Sequence, residues 1–244
     1  MKNIKLIVEY DGTNYSGWQR QKNAMTIQQR IEEAIFKSTG ESLDVIGCSR
    51  TDAGVHAKAF VLNFHTKSTI PSDKIKNVIN LNLPEDIIIL SSEEVEKEFH
   101  ARYSCVAKTY SYTIFNRESV PALYRNYVYH VRKPLNMDIM IEASKYFLGK
   151  QDFSAFKNMG SSVKTSIRTI KDIQIYKDNN YIKVYITADG FLYNMVKIIV
   201  GTLVQIGKGK MPPSQIVDII ESKNRSKAGK AVLSSGLCLE KVFY

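Results

Sequence analysis

The chain opens with alternation. Ile4, Leu6, Val8 and Tyr10 are separated by polar or outward positions, a period of two that predicts a strand, and the pattern breaks at the turn formers Asp11-Gly12-Thr13-Asn14. Beyond that break Ile27, Ile31, Ala34 and Ile35 recur at helical spacing. Thr26 and Gln29 stand three apart as a capping box requires, and Gly40 holds the place of a helix C-terminal cap. Two strands follow, Asp44 to Cys48 and Ala57 to Thr66, the second carrying Phe60, Leu62 and Phe64 on one face; the loop Ser49 to His56 joins them. A second helix is predicted from near Ser72 with Ile75, Val78 and Ile79 inward, and Pro84 closes that region before a strand over Asp86 to Leu90. The order is β-α-β-β-α-β.

That order returns after Arg102. Thr109 to Phe115 alternates, with Tyr110, Tyr112 and Ile114 on one face. Asn136 is placed to cap a helix carrying Ile139, Ala143, Tyr146 and Phe147 and closed by Gly149. Strands are predicted over Ser166 to Tyr176 and Tyr181 to Ala188, a long helix from Phe191 to about Ile206, and a last strand near Leu237 to Phe243. The predicted class is α+β: two ferredoxin-like halves with antiparallel sheets, residues 1–103 and 104–244, and a cleft between them. Three long connections remain, Arg117 to Arg132, Lys150 to Lys164 and Lys223 to Ser235; the last two are rich in Lys, Ser and Gly and suit a phosphate backbone or a plain surface loop equally.

Charge sharpens the division into halves. The net charge is +10, yet residues 1–100 carry 12 Lys and Arg against 14 Asp and Glu, while residues 101–244 carry 22 against 10. A basic half favours a polyanionic partner through counterion release, although a solvated Lys-rich surface has the same composition. Cys48, Cys105 and Cys238 are odd in number and lack paired metal-ligand spacing, so no disulfide framework and no zinc site are expected. No apolar run approaches the roughly 18 residues of a membrane span, and no signal sequence opens the chain, which predicts a soluble cytoplasmic protein.

The densest chemistry lies on the loop between the two strands of the first half: Arg50-Thr51-Asp52-Ala53-Gly54-Val55-His56-Ala57. An Asp with an Arg two residues before it and a His four after it, around a small Ala-Gly turn, is a compact set of charges. Gly54 permits a backbone turn that bulkier residues resist. A loop Asp more often caps a turn or forms a surface ion pair, so local chemistry alone does not decide its role.

The whole octapeptide resembles the catalytic-loop motif of the TruA-type tRNA pseudouridine synthases, with every position matching. Further segments resemble that family in order: Tyr10 to Gln19, Phe99 to Ser104, Lys108 to Tyr112, Asp152 to Phe156, Gly190 to Lys197 and Gly236 to Leu239. The resemblance implies a cofactor-free homodimer that isomerises uridine to pseudouridine at positions 38 to 40 of the tRNA anticodon stem and loop. It implies that Asp52 is the catalytic carboxylate, acting either as nucleophile or as a base toward a ribose proton. It makes Lys197 the basic partner of that carboxylate, where the family commonly has Arg; Lys keeps the charge and loses the planar fork. Tyr110 takes the place of the active-site tyrosine that stacks on the extruded uracil.

Other candidates are weaker. Arg50 and His56 are expected to hold phosphates, Phe191 and Leu192 to line the pocket or simply pack, and Arg102 to recognise RNA or pair between the halves. Trp18 either wedges against RNA or anchors the core. His65, His100 and His130 read as structural. One departure concerns Lys230-Ala231-Val232-Leu233-Ser234-Ser235, where the family tends to Thr-Ala-Pro, and this leaves other tRNA uridines or ribosomal RNA open as targets. The rival readings are a noncatalytic RNA binder, for which Lys58 to Phe64 lacks the Gly-aromatic core of an RNP1 strand, and a hydrolase using Asp52 with His56, which leaves the basic half without a purpose.

Overall fold

Strand β1 (Lys2–Tyr10) forms where the alternation predicts it and runs through the middle of the first unit's sheet. The computed structural model describes residues 1–160 and 165–244. After β1 come α1 (Ile27–Thr39), β2 (Ile46–Gly47), β3 (His56–Thr66), α2 (Ile75–Asn80) and β4 (Ile87–Val95). β1 pairs antiparallel with β3, Ile4 opposite Phe64, Leu6 opposite Leu62 and Val8 opposite Phe60, and antiparallel with β4 on its other side. β2 adds antiparallel to the far edge of β3, giving the order β4-β1-β3-β2 of the ferredoxin-like unit. The paired residues of β1 and β3 and the apolar stripe Ile27, Ile31, Ala34 and Ile35 of α1 are all buried. Both predicted caps of α1 form: Thr26 Oγ1 accepts from the Gln29 N–H, and Gly40 turns left-handed at φ +75° and donates to the Phe36 carbonyl at 2.8 Å. The strand expected over Asp44 to Cys48 shrinks to two residues, since its ladder to β3 consists of Ile46 opposite Asn63 and Gly47 opposite Leu62. α2 begins at Ile75, later than predicted, because the chain from Pro71 to Lys74 is spent on a turn.

The second unit contains β5 (Ala107–Asn116), β6 (Tyr129–Val131), α3 (Met137–Ser144), β7 (Gly149–Asp152), β8 (Ile167–Asp178), β9 (Tyr181–Ala188), α4 (Met195–Gly207) and α5 (Gln215–Ser222). Its sheet runs β5-β9-β8-β7, antiparallel throughout, with β6 added in parallel beside β5. Tyr112, Ile114, Ile182, Val184 and Ile186 supply a fully buried face, and α4 is buried over nearly its whole circumference, as a helix apolar all round must be. The inward face of α3 differs from the prediction. Met140, Ala143 and Phe147 are buried at the i, i+3, i+7 spacing of one helix face, which takes in Met140 in place of Ile139 and leaves Tyr146 surface-lying, and the α-helix stops at Ser144 and tightens into a 3-10 turn over Lys145–Phe147. α4 starts at Met195 rather than Phe191, since Asn194 is left-handed at φ 62° and breaks the helix there. α5, β6 and β7 were not expected.

The closing strand β10 (Leu237–Phe243) forms where predicted but belongs elsewhere. Cys238 and Leu239 lie parallel to His56 and Ala57 of β3, so residues 238–244 join the first unit. The Lys58–Glu240 ion pair at 3.0 Å, the bond from the Val106 N–H to the Phe243 carbonyl and that from the Tyr244 hydroxyl to the Ala101 carbonyl fix this return. The units are therefore Met1–Val106 with Cys238–Tyr244, and Ala107–Leu237, in place of the division at residue 103 with the tail in the second half. Among the described residues no helix is long and apolar enough to cross a membrane.

Candidate active site

The Asp52 loop owes its shape to the segment that connects β1 to α1. The Trp18 N–H donates to the Thr51 carbonyl at 3.0 Å, the Gly54 N–H to the Tyr15 carbonyl at 3.4 Å, and Tyr10 and Thr51 share a buried hydroxyl–hydroxyl bond of 2.9 Å. Two glycines allow this approach. A Cβ on Gly12 would lie 2.0 Å from the Val55 carbonyl oxygen, and one on Gly17, which is left-handed at φ +89°, would lie 2.4 Å from that of Thr51. The bracing segment is itself anchored. The Asp11 N–H donates to the Asp86 carbonyl at 2.9 Å and the Tyr15 hydroxyl to the Asp86 carboxylate at 2.5 Å. Burial first, and then that bond, push the Tyr15 hydroxyl above its ordinary range and keep it a donor. The carbonyls of Gly17 and Trp18 accept from the Ile27 and Gln28 N–H groups, two donors of the first turn of α1 that have no partner within the helix. Asp52 thus sits half-buried on a loop tied to β1, α1 and the start of β4, and the bond from the Val55 N–H to its own carbonyl closes the Ala53-Gly54 turn.

His56 faces the bracing segment. It is 7% exposed, and its Nδ1 lies 3.0 Å from the Asp11 carboxylate and 3.2 Å from the Gly12 N–H, so it clamps the end of the loop to the bracing segment. Trp18, of its two readings, takes the core. It is 4% exposed and stacks on Phe60 at 4.0 Å and 25°, while its indole lies 2.7 Å from where a Cβ on Gly47 would be. Arg50 and Arg102, both exposed, come together with His100 around a polar cavity of about 240 Å³ floored by Trp18 and Gly47, and no acidic residue lines it. Tyr103 lines the same cavity, a residue that the sequence offered only inside the Phe99 to Ser104 segment.

The second unit carries the remaining candidates. Tyr110, on β5, is 7% exposed and meets the ring of Phe191 edge to face at 5.1 Å; Leu192 is buried beside α4. Lys197 is buried rather than pointing to water, with Nζ 3.4 Å from the Ser234 hydroxyl. The segment that departs from the family pattern lies along this helix. A Cβ on Gly201 would lie 1.9 Å from the Lys230 carbonyl oxygen, the Gly229 N–H bonds Thr202 Oγ1 at 2.9 Å, and the Val232 N–H bonds the Lys197 carbonyl at 3.3 Å. Ser234 is therefore a neighbour of Lys197 that motif spacing did not signal. The Lys223–Ser235 connection is packed rather than trailing, since Arg225 bonds Asn158 at 3.0 Å and the Gly229 carbonyl at 2.9 Å. Of the Lys150 to Lys164 loop, residues 161–164 lie outside the described residues, and Lys150 to Asp152 belong to β7. A larger cavity of about 810 Å³ opens around Thr113, Lys183 and Tyr185, on the sheet face opposite Tyr110 and Tyr112, and none of the candidate residues lines it. Among the described residues no three His, Cys, Asp or Glu side chains gather as a metal would need.

Comparison with known proteins gives this geometry its context. The tRNA pseudouridine synthase family matches residues 6–104 and 143–244. The chain belongs to this family. "tRNA pseudouridine synthase A 2" of Clostridium perfringens is 59% identical over all 244 residues of both chains, and "tRNA pseudouridine synthase A" of Clostridium kluyveri is 57% identical, again over the full length of both. Among solved structures, an H/ACA RNP bound to a substrate RNA matches 97% of this chain and 47% of its own with a TM-score of 0.44 and 10% identity, too loose a likeness to carry an argument. As a tRNA pseudouridine synthase the protein is an isomerase with the mixed α+β fold of that family. The noncatalytic binder and the hydrolase are thereby set aside.

Proposed function

We propose that this tRNA pseudouridine synthase converts uridine to pseudouridine at positions 38, 39 and/or 40 of the anticodon stem and loop, as a cytoplasmic homodimer, with Asp52 as its reacting carboxylate. The observation that carries this reading is the bracing of the Asp52 loop by Tyr10, Gly12, Gly17 and Trp18, which presents one half-buried carboxylate on a backbone held by hydrogen bonds and close packing. Preorganisation of this kind is what a single reacting group requires.

The reaction suits such sparse equipment. The bond from C1′ to N1 breaks, the uracil turns, C5 bonds to C1′, the C5 hydrogen leaves as a proton and N1 gains one. Atoms and electrons balance without an oxidant, a reductant or a metal. Asp52 acts at the ribose, by attack on C1′ or by removing a ribose proton. A uridine in a stem must first leave its stack, and an aromatic platform offsets part of that cost; Tyr110 supplies the platform and Phe191 holds its edge. The buried ammonium of Lys197 is the cation assigned to the carboxylate.

Tritium release from unmodified tRNA labelled at uridine C5 tests the reaction and the residue together. Wild-type protein is expected to release tritium and Asp52→Asn to release none while still binding tRNA. Turnover by Asp52→Asn would remove Asp52 from its role, and release confined to sites outside positions 38 to 40 would overturn the assigned target.

A further inference from the structure

We infer that Tyr103 is a stacking platform for an RNA nucleotide flanking the target uridine, with Arg50 and Arg102 holding the phosphate of that nucleotide; this rests on the reading that Asp52 acts on tRNA. Tyr103 is 78% exposed, so its ring is open to a ligand from solvent. Its orientation is nonetheless set. The ring lies on that of His100 with centroids 4.2 Å apart and planes 30° apart, and the Arg102 guanidinium sits 5.8 Å from its centre. His100 is fixed in turn, because its Nδ1 accepts from the N–H groups of both Arg102 and Tyr103 at 3.2 Å. A turn of four residues thus carries a presented ring and an exposed cation on a histidine pedestal.

The cavity beside this ring selects the ligand. At about 240 Å³ it falls below the roughly 300–1,000 Å³ of drug-sized sites, and its lining includes two guanidinium groups and no carboxylate. An exposed π face next to paired cations is the chemistry of single-stranded nucleic-acid binding, in which a base stacks and its phosphate is neutralised. The position follows from chain reach. Arg50 stands two residues before Asp52, so the Cα atoms of a residue lining the cavity and of the residue proposed to react lie no more than about 7 Å apart. The nucleotide held there is a neighbour of the target uridine rather than a distant part of the RNA.

The experiment combines tRNA titration of tritium release with direct tRNA binding in an Asp52→Asn background, for Tyr103→Ala, Tyr103→Leu and Tyr103→Phe. Loss of one base stack predicts a rise in KM and in Kd of about 5- to 150-fold for Tyr103→Ala, an unchanged kcat, and recovery to within about twofold for Tyr103→Phe. Because the ring is mostly exposed, all three variants should melt with the wild type. Unchanged KM and Kd in Tyr103→Ala would overturn the assignment, and so would Tyr103→Leu binding as well as Tyr103→Phe, since leucine keeps apolar bulk without a π face. If wild-type protein released no tritium, the reaction assigned to Asp52 would fall instead, while the binding arm would still decide the role of Tyr103.

Discussion

Gly17→Ala isolates the bracing of the Asp52 loop from general stability. At φ +89° any side chain is strained, which costs on the order of 1–3 kcal/mol. The added methyl carbon would also stand 2.4 Å from the Thr51 carbonyl oxygen and 3.1 Å from the Asp52 carbonyl carbon, whereas contact at ordinary van der Waals distance begins near 3.4 Å. Both neighbours are backbone, so the relief is a shift of the loop by about 1 Å, and a misplacement of that size costs about 10²-fold in rate. The control is Gly40→Ala, at φ +75° with nothing within 4 Å of the new carbon: the same backbone strain and no clash. Measured by tritium release and thermal melting, Gly17→Ala should lose about 10²-fold in kcat with little change in tRNA affinity, and Gly40→Ala should melt lower with its kcat intact. About 1 kcal/mol corresponds to roughly 2–4 °C in a chain of this size. A folded Gly17→Ala with wild-type kcat would refute the bracing, and equal kcat losses in both variants would show that stability alone was being read.

Trp18→Ala removes the ring stacked on Phe60 and should cost about 3–5 kcal/mol, read as a fall in melting temperature of roughly 6–20 °C; a melting temperature near wild type would return Trp18 to the surface. Tyr110→Phe should retain most activity and Tyr110→Ala little, and equal losses would assign the work to the hydroxyl instead of the ring. The Cys238 thiol, pushed up to about 12 by burial and then by Glu240, should hold on the order of 10³-fold less thiolate at pH 8 than an ordinary cysteine. Alkylation followed by mass spectrometry should therefore label Cys238 in the unfolded chain and spare it in the native one, and equal labelling would contradict that burial.

Local signals in the sequence were the ones that held. The alternation of Ile4, Leu6 and Val8 gave β1, and Thr26 with Gly40 bounded α1, because strand faces and helix caps are properties of adjacent residues. Where a neighbour in space decides, local pattern is silent. The inward face of α3 takes in Met140 rather than Ile139, and α5 follows Pro212-Pro213-Ser214, a cluster that reads locally as a turn. The destination of β10 depends on a pairing across some 180 positions, from Cys238 to His56, that no local pattern encodes. The site divides in the same way. The Asp52 octapeptide was legible as a motif, whereas His56 serving as a clamp, Trp18 as a floor and Ser234 as a neighbour of Lys197 are facts of packing. Gly12 reads as a turn former in the sequence, and it and Gly17 prove to be points of backbone contact.

The return of residues 238–244 to β3 sets an order of events during synthesis. Residues 107–237 must all be made before the strand beside His56 and Ala57 exists, about 7–26 s at roughly 5–20 residues per second. For that interval the nascent first unit lacks a strand at the foot of the Asp52 loop, and the edge of β3 that β10 will occupy stands open to other chains. The last strand to be made thus closes the sheet beside the loop proposed to carry the reacting carboxylate.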